Sequence, residues 1–361
     1  MHWSLGLSMV LAVLGAVSAA HGDEPVGDIT HRTMEGYPNR IQASLEQRER
    51  ALSSLPQQIG GLRPEFVIRK LKRWPQREQL KAAFQGGDSA LHKKIADATK
   101  DWTDQCNLTI DFGLNPTTGK YRQWTNHDQA YQADIRVSFD QPGYFSMIGT
   151  DCVDASLEGG KPNQASTNFE QFDVQLPADW RGVVLHEFGH SLGFEHEHQH
   201  PTQGCNNDFR WQDDPSYVPT HDQFGQFIKD SAGRRPGIYT VLGGPPNRWP
   251  QAMVDFNLRQ LTDPPQEFIL SPMDSQSIMK YFFEEWMFVL GAASHCYSPG
   301  ENGSLSPKDI EGVGKAYPKQ AIHADQLAAE HRQLLQAAAT AKNMPSGAKK
   351  HYENRLQALS K

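Results

Sequence analysis

The fold is decided by one stretch of the chain, which reads His186-Glu187-Phe188-Gly189-His190-Ser191-Leu192-Gly193-Phe194-Glu195-His196. Apolar spacing predicts a helix from about Trp180 to Leu192. His186 and His190, four positions apart, then lie on one face of that helix, one turn apart. Gly193 can adopt the left-handed backbone conformation that a sharp helix exit needs, and the turn returns His196 towards the other two rings.

Three imidazole nitrogens that meet at one point form a binding site for zinc, and three protein ligands leave one coordination position free, as in catalytic zinc sites. We therefore expect one catalytic zinc ion held by these three histidines. Glu187 is offset from the ligand pair, so its carboxylate is placed to act as general base on a water at the free position. His198 and His200 are alternative third ligands, which we expect instead to face solvent or to lie behind the ligands.

Several motifs together resemble a known family. The histidine stretch resembles the extended zinc motif of the metzincin metallopeptidases, and Glu197, directly after the third histidine, is similar to the astacin version. Downstream, Ser277-Ile278-Met279-Lys280-Tyr281 resembles the Met-turn of that family. Further segments resemble parts of secreted astacin-like and matrixin-like peptidases, namely the upper-sheet strands (133–139 and 149–151) and the closing helix (305–310).

The resemblance implies an α+β fold with a mixed twisted sheet and an active-site helix above a loop-rich lower half. It also implies a secreted zinc endopeptidase, a hydrolase that cleaves peptide bonds through a zinc-activated water with Glu187 as general base. Met279 would form an apolar floor beneath the histidines. Tyr281 would be a displaceable fifth zinc ligand that donates a hydrogen bond to the developing oxyanion.

The resemblance extends to the substrate cleft. A protein or peptide substrate would lie extended and pair with an edge strand, for which we expect residues 165–174. The walls of the specificity pocket would come from residues 282–295. The chain departs from astacins at His198-Gln199-His200-Pro201, where they have an Arg- and Asp-rich stretch, and its long spacing from His196 to Met279 suggests insertions around the lower rim of the cleft.

The rest of the chain suggests four segments. Residues 5–17 are apolar and precede Ser18-Ala19-Ala20, which predicts a secretory signal peptide over residues 1–20. Residues 21–73 form a polar N-terminal extension or propeptide, residues 74–318 the catalytic domain, and residues 319–361 a helical tail that packs on the domain or is solvated. The expected location is extracellular or periplasmic.

Export favours disulfide bonds, and the chain has four cysteines. We expect the pairs Cys106–Cys152 and Cys205–Cys296, one on each side of the histidine stretch. Since no cysteine precedes Cys106, a cysteine from a propeptide cannot cap the metal.

Composition excludes other classes of function. With 35 Lys and Arg against 42 Asp and Glu, the net charge of −7 gives no basic surface for nucleic acid. No internal apolar run has the length of a membrane span, so no membrane association is expected after signal cleavage. Two alternatives to a peptidase remain: a secreted non-catalytic protein-binding module on the same fold, and a zinc hydrolase acting on non-peptide amides or esters.

Overall fold

The computed structural model describes residues 35–52, 68–262, 268–342 and 344–359, which fall in one compact unit. The predicted signal peptide over residues 1–20 lies outside these residues. Among the helices of the described residues, none is long and apolar enough to cross a membrane.

A mixed sheet forms the upper half of the fold. A two-residue strand, β1 (Ile68–Arg69), comes before it in the chain. The sheet contains β2 (Gln79–Phe84), β3 (Thr109–Asp111), β4 (Ile135–Ser138), β5 (Tyr144–Ser146) and β6 (Thr167–Phe169). The strand order is β3-β2-β4-β6-β5. All neighbours are parallel except β5, which pairs antiparallel with β6, and this mixed α/β architecture confirms the predicted fold class.

The position of β5 corrects one expectation. Residues 165–174 are not an edge strand, because β6 lies between β4 and β5. The edge on this side of the sheet is β5, with Phe145 opposite Asn168 in the register. A single amino-acid sequence does not reveal which strands pair with each other. It therefore could not show that the short aromatic segment at Tyr144 forms the edge strand of the sheet.

A second difference concerns β4, whose alternating Ile135 and Val137 predict a half-buried strand. All four of its residues are buried. The guanidinium of Arg136 explains the burial of the other face, because it donates to the carbonyl oxygens of Cys152, Gly159 and Gln164. The loop that carries these carbonyls therefore covers the polar side of the strand.

Four helices accompany the sheet, and the last of them packs directly on it. They are α1 (Asn39–Leu52), α2 (Ser89–Ala98), α3 (Lys100–Thr103) and α4 (Trp180–Ser191). The sequence offers Asp88 or Ser89 as the cap of α2, and the structure shows that the carboxylate of Asp88 accepts from the Leu91 amide. Helix α4 is buried along Val184, Leu185 and Phe188, and it packs against β5, β6 and α2. This burial fixes the orientation of its histidine face.

The lower half has little regular structure. Its elements are β7 (Thr220–His221), β8 (Phe227–Ile228), α5 (Ile238–Gly243), α6 (Gln251–Leu258) and β9 (Phe268–Ile269), which pairs with β1. A second apolar cluster lies here around Phe209, Phe283 and Phe288. The predicted insertion therefore builds its own small core.

The disulfide expectations have different outcomes. Cys205 and Cys296 form a disulfide bond inside the lower core, as expected. The expected bridge between Cys106 and Cys152 is wrong, because both cysteines are free and buried. Each thiol faces carbonyls of its own segment: Cys152 donates to Met147, and Cys106 lies near Thr103 and Leu108.

The C-terminal helices pack on the segment just before β2. Helix α7 (Pro307–Ala316) is followed by α8 (Ala321–Thr340) and α9 (Ser346–Ala358), which pack against each other. Helix α8 also packs on residues 70–72, and Glu330 accepts from the buried guanidinium of Arg73 at 3.1 Å. Residues 68–73, which the sequence places in the N-terminal extension, are therefore part of the folded core.

Candidate active site

Three histidine rings meet above the end of α4. His186 and His190 extend from one face of this helix, and their ring centroids lie 4.9 Å apart. Gly193 has a φ of 105°, the left-handed region that the sequence predicts for the helix exit. The turn brings the ring of His196 to 4.5 Å from His190 and 5.4 Å from His186. The structure thus brings the three predicted ligands together.

The orientation of each ring is set by a hydrogen bond at its Nδ1 atom. This nitrogen lies 2.6 Å from the Ile278 carbonyl in His186, 2.7 Å from the Phe194 carbonyl in His190, and 3.1 Å from the Gln199 side-chain oxygen in His196. Because these oxygens accept, Nδ1 must donate, so in the neutral ring Nε2 is the nitrogen that can bind a metal.

The three Nε2 atoms fit a zinc ion. Those of His190 and His196 lie 3.1 Å apart, close to the ~3.3 Å that tetrahedral zinc with bonds of about 2.0–2.1 Å requires. Nitrogen donors in this number and arrangement suit zinc better than magnesium or calcium, which prefer oxygen ligands.

A carboxylate from the N-terminal segment lies at the centre of the histidines. Glu35 approaches the Nε2 atoms of His186, His190 and His196 at 2.6, 3.1 and 3.2 Å, and the four donor groups lie within 4.8 Å of one another. Burial alone would raise the pKa of Glu35, but the three facing imidazoles hold it well below its ordinary value. The carboxylate is therefore ionised, as a metal ligand must be.

The two residues that follow this carboxylate lie beside the sheet edge. The Gly36 amide donates to the Tyr144 carbonyl on β5, and the Tyr37 hydroxyl donates to the Ser146 carbonyl at 2.7 Å. Residues 35–37 therefore extend from the histidines to the edge strand.

Glu187 is buried next to the histidine cluster. Among the described residues, its Oε2 has no hydrogen-bond partner. Burial, and then repulsion by Glu35, raise the pKa of Glu187 well above its usual range. A carboxyl group with a raised pKa beside a metal site has the property that a proton-transferring residue needs.

The Met-turn segment lies beneath the rings. Met279 is buried, and its Sδ packs so closely on Gly189 that a Cβ there would lie 2.3 Å away. The ring of Tyr281 lies 4.4 Å from that of His196, and its hydroxyl donates to the Glu35 carbonyl at 3.1 Å. Burial raises the pKa of Tyr281 well above its ordinary value, so the phenol keeps its proton.

Helix α7 holds this segment in place. The buried carboxylate of Asp309 accepts from the Ser277 hydroxyl at 2.6 Å and from the Ile278 amide at 2.9 Å. The Ile278 carbonyl in turn accepts from His186. The N-terminus of α7 is therefore linked to the first histidine through one residue, Ile278.

Comparisons with known proteins agree with this geometry. No protein-family model matches the chain. Zinc metalloproteinase dpy-31 of Brugia malayi is 24% identical over 196 residues, which cover 54% of this chain and 27% of that protein. The chain thus spans about a quarter of the length of this curated relative. The solved structure of myroilysin is 25% identical, with a TM-score of 0.51, over 70% of this chain and 99% of that one.

The chain is thus similar in sequence to a zinc metalloproteinase and in fold to myroilysin. For the loop after the third histidine, the expected solvent exposure is wrong, whereas the alternative, a position behind the ligands, agrees with the ring of His198, which lies 5.0 Å from that of His196. His198 and His200 are both buried, and neither faces solvent. Their Nε2 atoms lie 2.9 Å from the Asn257 carbonyl and 2.6 Å from the Ser271 carbonyl, so both rings fasten the loop to neighbouring backbone.

A cavity of about 310 Å³ lies in the lower half. Part of its lining comes from the segment predicted as the specificity wall, at Phe282 and Trp286. Lys229 and Arg235 also line it. These two cations come from the lower-half insertion, which sequence reasoning did not connect with the pocket.

Sequence reasoning missed several functional contacts of this chain. Glu35 carries no local signal, because a single acidic residue in a polar segment is common and its target lies far along the chain. Gly189 lies inside the motif, yet only the position of Met279 shows why it must be glycine. Gln199 falls in the segment where the chain departs from the astacin pattern, and this departure was the one available clue.

Proposed function

We propose that the chain is a secreted, zinc-dependent endopeptidase that hydrolyses peptide bonds. The observation that carries the proposal is the convergence of three Nε2 atoms next to the buried carboxyl group of Glu187. The likeness to zinc metalloproteinase dpy-31 supports the choice of metal. When bound to His186, His190 and His196, zinc would supply Lewis acidity to the attacking water and to the scissile carbonyl.

The chain's own residues would handle the proton and the developing charge. The Glu187 carboxylate takes a proton from the attacking water and passes it to the leaving amine. This proton transfer needs the raised pKa that burial gives Glu187. Tyr281 remains protonated because its pKa is raised, and its hydroxyl donates a hydrogen bond to the developing oxyanion. Met279 packs against Gly189 of α4 and would thereby form a rigid apolar surface beneath the histidine rings.

The substrate would lie along β5. Its backbone would repeat the main-chain hydrogen bond that the Gly36 amide donates to the Tyr144 carbonyl. Main-chain pairing of this kind suits an extended peptide and does not suit a small ester. This favours peptide hydrolysis over the hydrolysis of non-peptide amides or esters.

The described form would be latent. Glu35 occupies the position that the water and the scissile carbonyl need, and its segment covers the edge strand. We propose that residues 21–73 contain a removable propeptide whose inhibitory part includes this carboxylate. Because residues 68–73 are core residues, the retained chain must begin before them.

Export is the remaining part of the proposal. The apolar stretch before Ser18-Ala19-Ala20 supports a cleaved signal peptide, and the bond between Cys205 and Cys296 suits an oxidising compartment. N-terminal sequencing of the protein from the culture medium tests signal cleavage and propeptide removal together.

A casein digestion assay tests the activity, with zinc measured on the same sample. Cleavage that a chelator abolishes and added zinc restores supports the endopeptidase. Zinc binding without cleavage of casein, in a sample shown to lack residues 21–52, would favour the non-catalytic module. Chelator-sensitive hydrolysis of a model ester with no cleavage of casein would favour the non-peptide hydrolase.

A further inference from the structure

Gln199 lies directly behind the third histidine. It is buried in the short 3₁₀ turn Glu197–Gln199. Its Oε1 lies 3.1 Å from the Nδ1 of His196, and its amide nitrogen donates to the Phe256 carbonyl at 2.9 Å and to the Arg259 carbonyl at 3.0 Å. All three polar contacts of this side chain are therefore made inside the protein.

These contacts fix which way the amide faces. Carbonyl oxygens only accept hydrogen bonds, so the NH₂ end of Gln199 must face Phe256 and Arg259. The Oε1 atom then faces His196, and an amide oxygen only accepts. The Nδ1 of His196 must carry the proton, which leaves the Nε2 lone pair on the side of the cluster.

This support differs from that of the other two histidines. Their Nδ1 atoms face the backbone carbonyls of Ile278 and Phe194, whereas His196 depends on a side chain that a single substitution can remove. The turn is also fastened to the end of α6 by two further bonds: the Leu261 amide donates to the Gln199 carbonyl, and His198 lies 2.9 Å from the Asn257 carbonyl.

We propose that Gln199 is a positioning residue that sets the tautomer and orientation of His196 for the metal, with the end of α6 as its anchor. The proposal rests on the zinc site of the proposed function and deepens it. Through this residue the lower-half insertion supports the third ligand. The segment in which the chain departs from the astacin pattern thus has a defined task.

The test compares Gln199→Leu with a matched control, Gln260→Leu, in the full chain. Gln260 donates from the same region to the Pro201 carbonyl, so this hydrogen bond does not involve a zinc ligand. Zinc affinity is measured by competition with a chromophoric chelator. We expect Gln199→Leu to raise the zinc dissociation constant about 10- to 100-fold, as loss of a ligand's hydrogen-bond partner does. The control should stay within about twofold of wild type.

The histidine tautomer provides a second readout that needs no variant. A long-range ¹H–¹⁵N spectrum of the zinc-loaded full chain should show His196 protonated at Nδ1, and the Gln199→Leu spectrum should lose this slowly exchanging proton. A His196 protonated at Nε2 would overturn the inference even if the variant fails to fold. So would equal zinc affinities of wild type and Gln199→Leu, whereas failure of the wild type itself to bind zinc would contradict the proposed function.

Discussion

The Glu35 carboxylate lies 2.6 Å from the Nε2 atom of His186, at the point where three histidine rings converge. The N-terminal segment and the centre of the fold are thereby joined through the atoms that a metal would use. On the proposed function, latency, substrate binding and metal affinity would all depend on this one relationship.

Replacing the carboxylate should release activity. In Glu35→Gln the charge that holds the segment at the histidines is lost, so the segment should leave the cleft more readily. We expect peptide cleavage by the full chain to rise at least about tenfold, measured with a quenched fluorescent peptide. Glu46→Gln is the matched control, because Glu46 lies on the same segment and contacts Gln42 and Arg50 instead. Equal rates for the two variants would show that Glu35 does not inhibit.

The packing of Met279 on α4 makes a stability prediction. A Cβ added at Gly189 would lie 2.3 Å from the Met279 sulfur and 3.1 Å from the Trp102 ring. We expect Gly189→Ala to destabilise the fold by roughly 1–3 kcal/mol, the range for overpacked cores. Gly314→Ala on α7 meets its nearest neighbour at 3.6 Å and should be neutral or stabilising, because alanine favours a helix. Urea unfolding of both variants measures the difference, and a stable Gly189→Ala would contradict the packing.

Asp309 should influence the zinc site from a distance. Asp309→Ala leaves the Ile278 amide and the Ser277 hydroxyl without their acceptor, which should cost roughly 3 kcal/mol of folding free energy. Zinc affinity should also fall, because the Ile278 carbonyl that orients His186 is no longer fixed. Ser306→Ala removes the cap of the same helix, at about 1 kcal/mol, and should leave zinc affinity unchanged. Equal zinc losses in both variants would assign the effect to general loosening of α7.

Two buried histidines of the C-terminal helices predict acid sensitivity. Burial, with Arg73 and Arg355 adding, lowers the pKa of His331 to about 3. Burial lowers the pKa of His351 to about 4. The charges of Arg48 and Arg355 also lower this pKa, whereas the charge of Asp154 raises it. Since the unfolded chain takes up these protons near pH 6.5, the stability that the neutral rings contribute is complete above that pH. It is lost as the pH falls towards about 4.

The measurement is the free energy of urea unfolding at pH 7, 6 and 5. Each histidine should add about 1 kcal/mol per pH unit to the loss between pH 6 and 5. His351→Gln should reduce this slope, whereas His323→Gln, at an exposed position of α8, should not. An unchanged slope in His351→Gln would contradict the assignment.

The sequence predicted what is local in the chain. The two histidines on one helical turn and the left-handed Gly193 follow from spacing over a few residues. The segment with Met279 follows from the resemblance to the metzincins. What it could not predict depends on pairing between distant segments. The edge position of β5, the free Cys106 and the placement of Glu35 are decided by tertiary contacts that leave no local pattern.

The most direct test of the central claim compares two proteins: the single variant Glu35→Gln and the double variant Glu35→Gln/Glu187→Gln. Zinc content and casein cleavage are measured on the same samples. We predict one zinc ion per chain in both, with cleavage reduced at least about a hundredfold in the double variant. Undiminished cleavage by the double variant, or the absence of bound zinc from an active sample, would contradict the account.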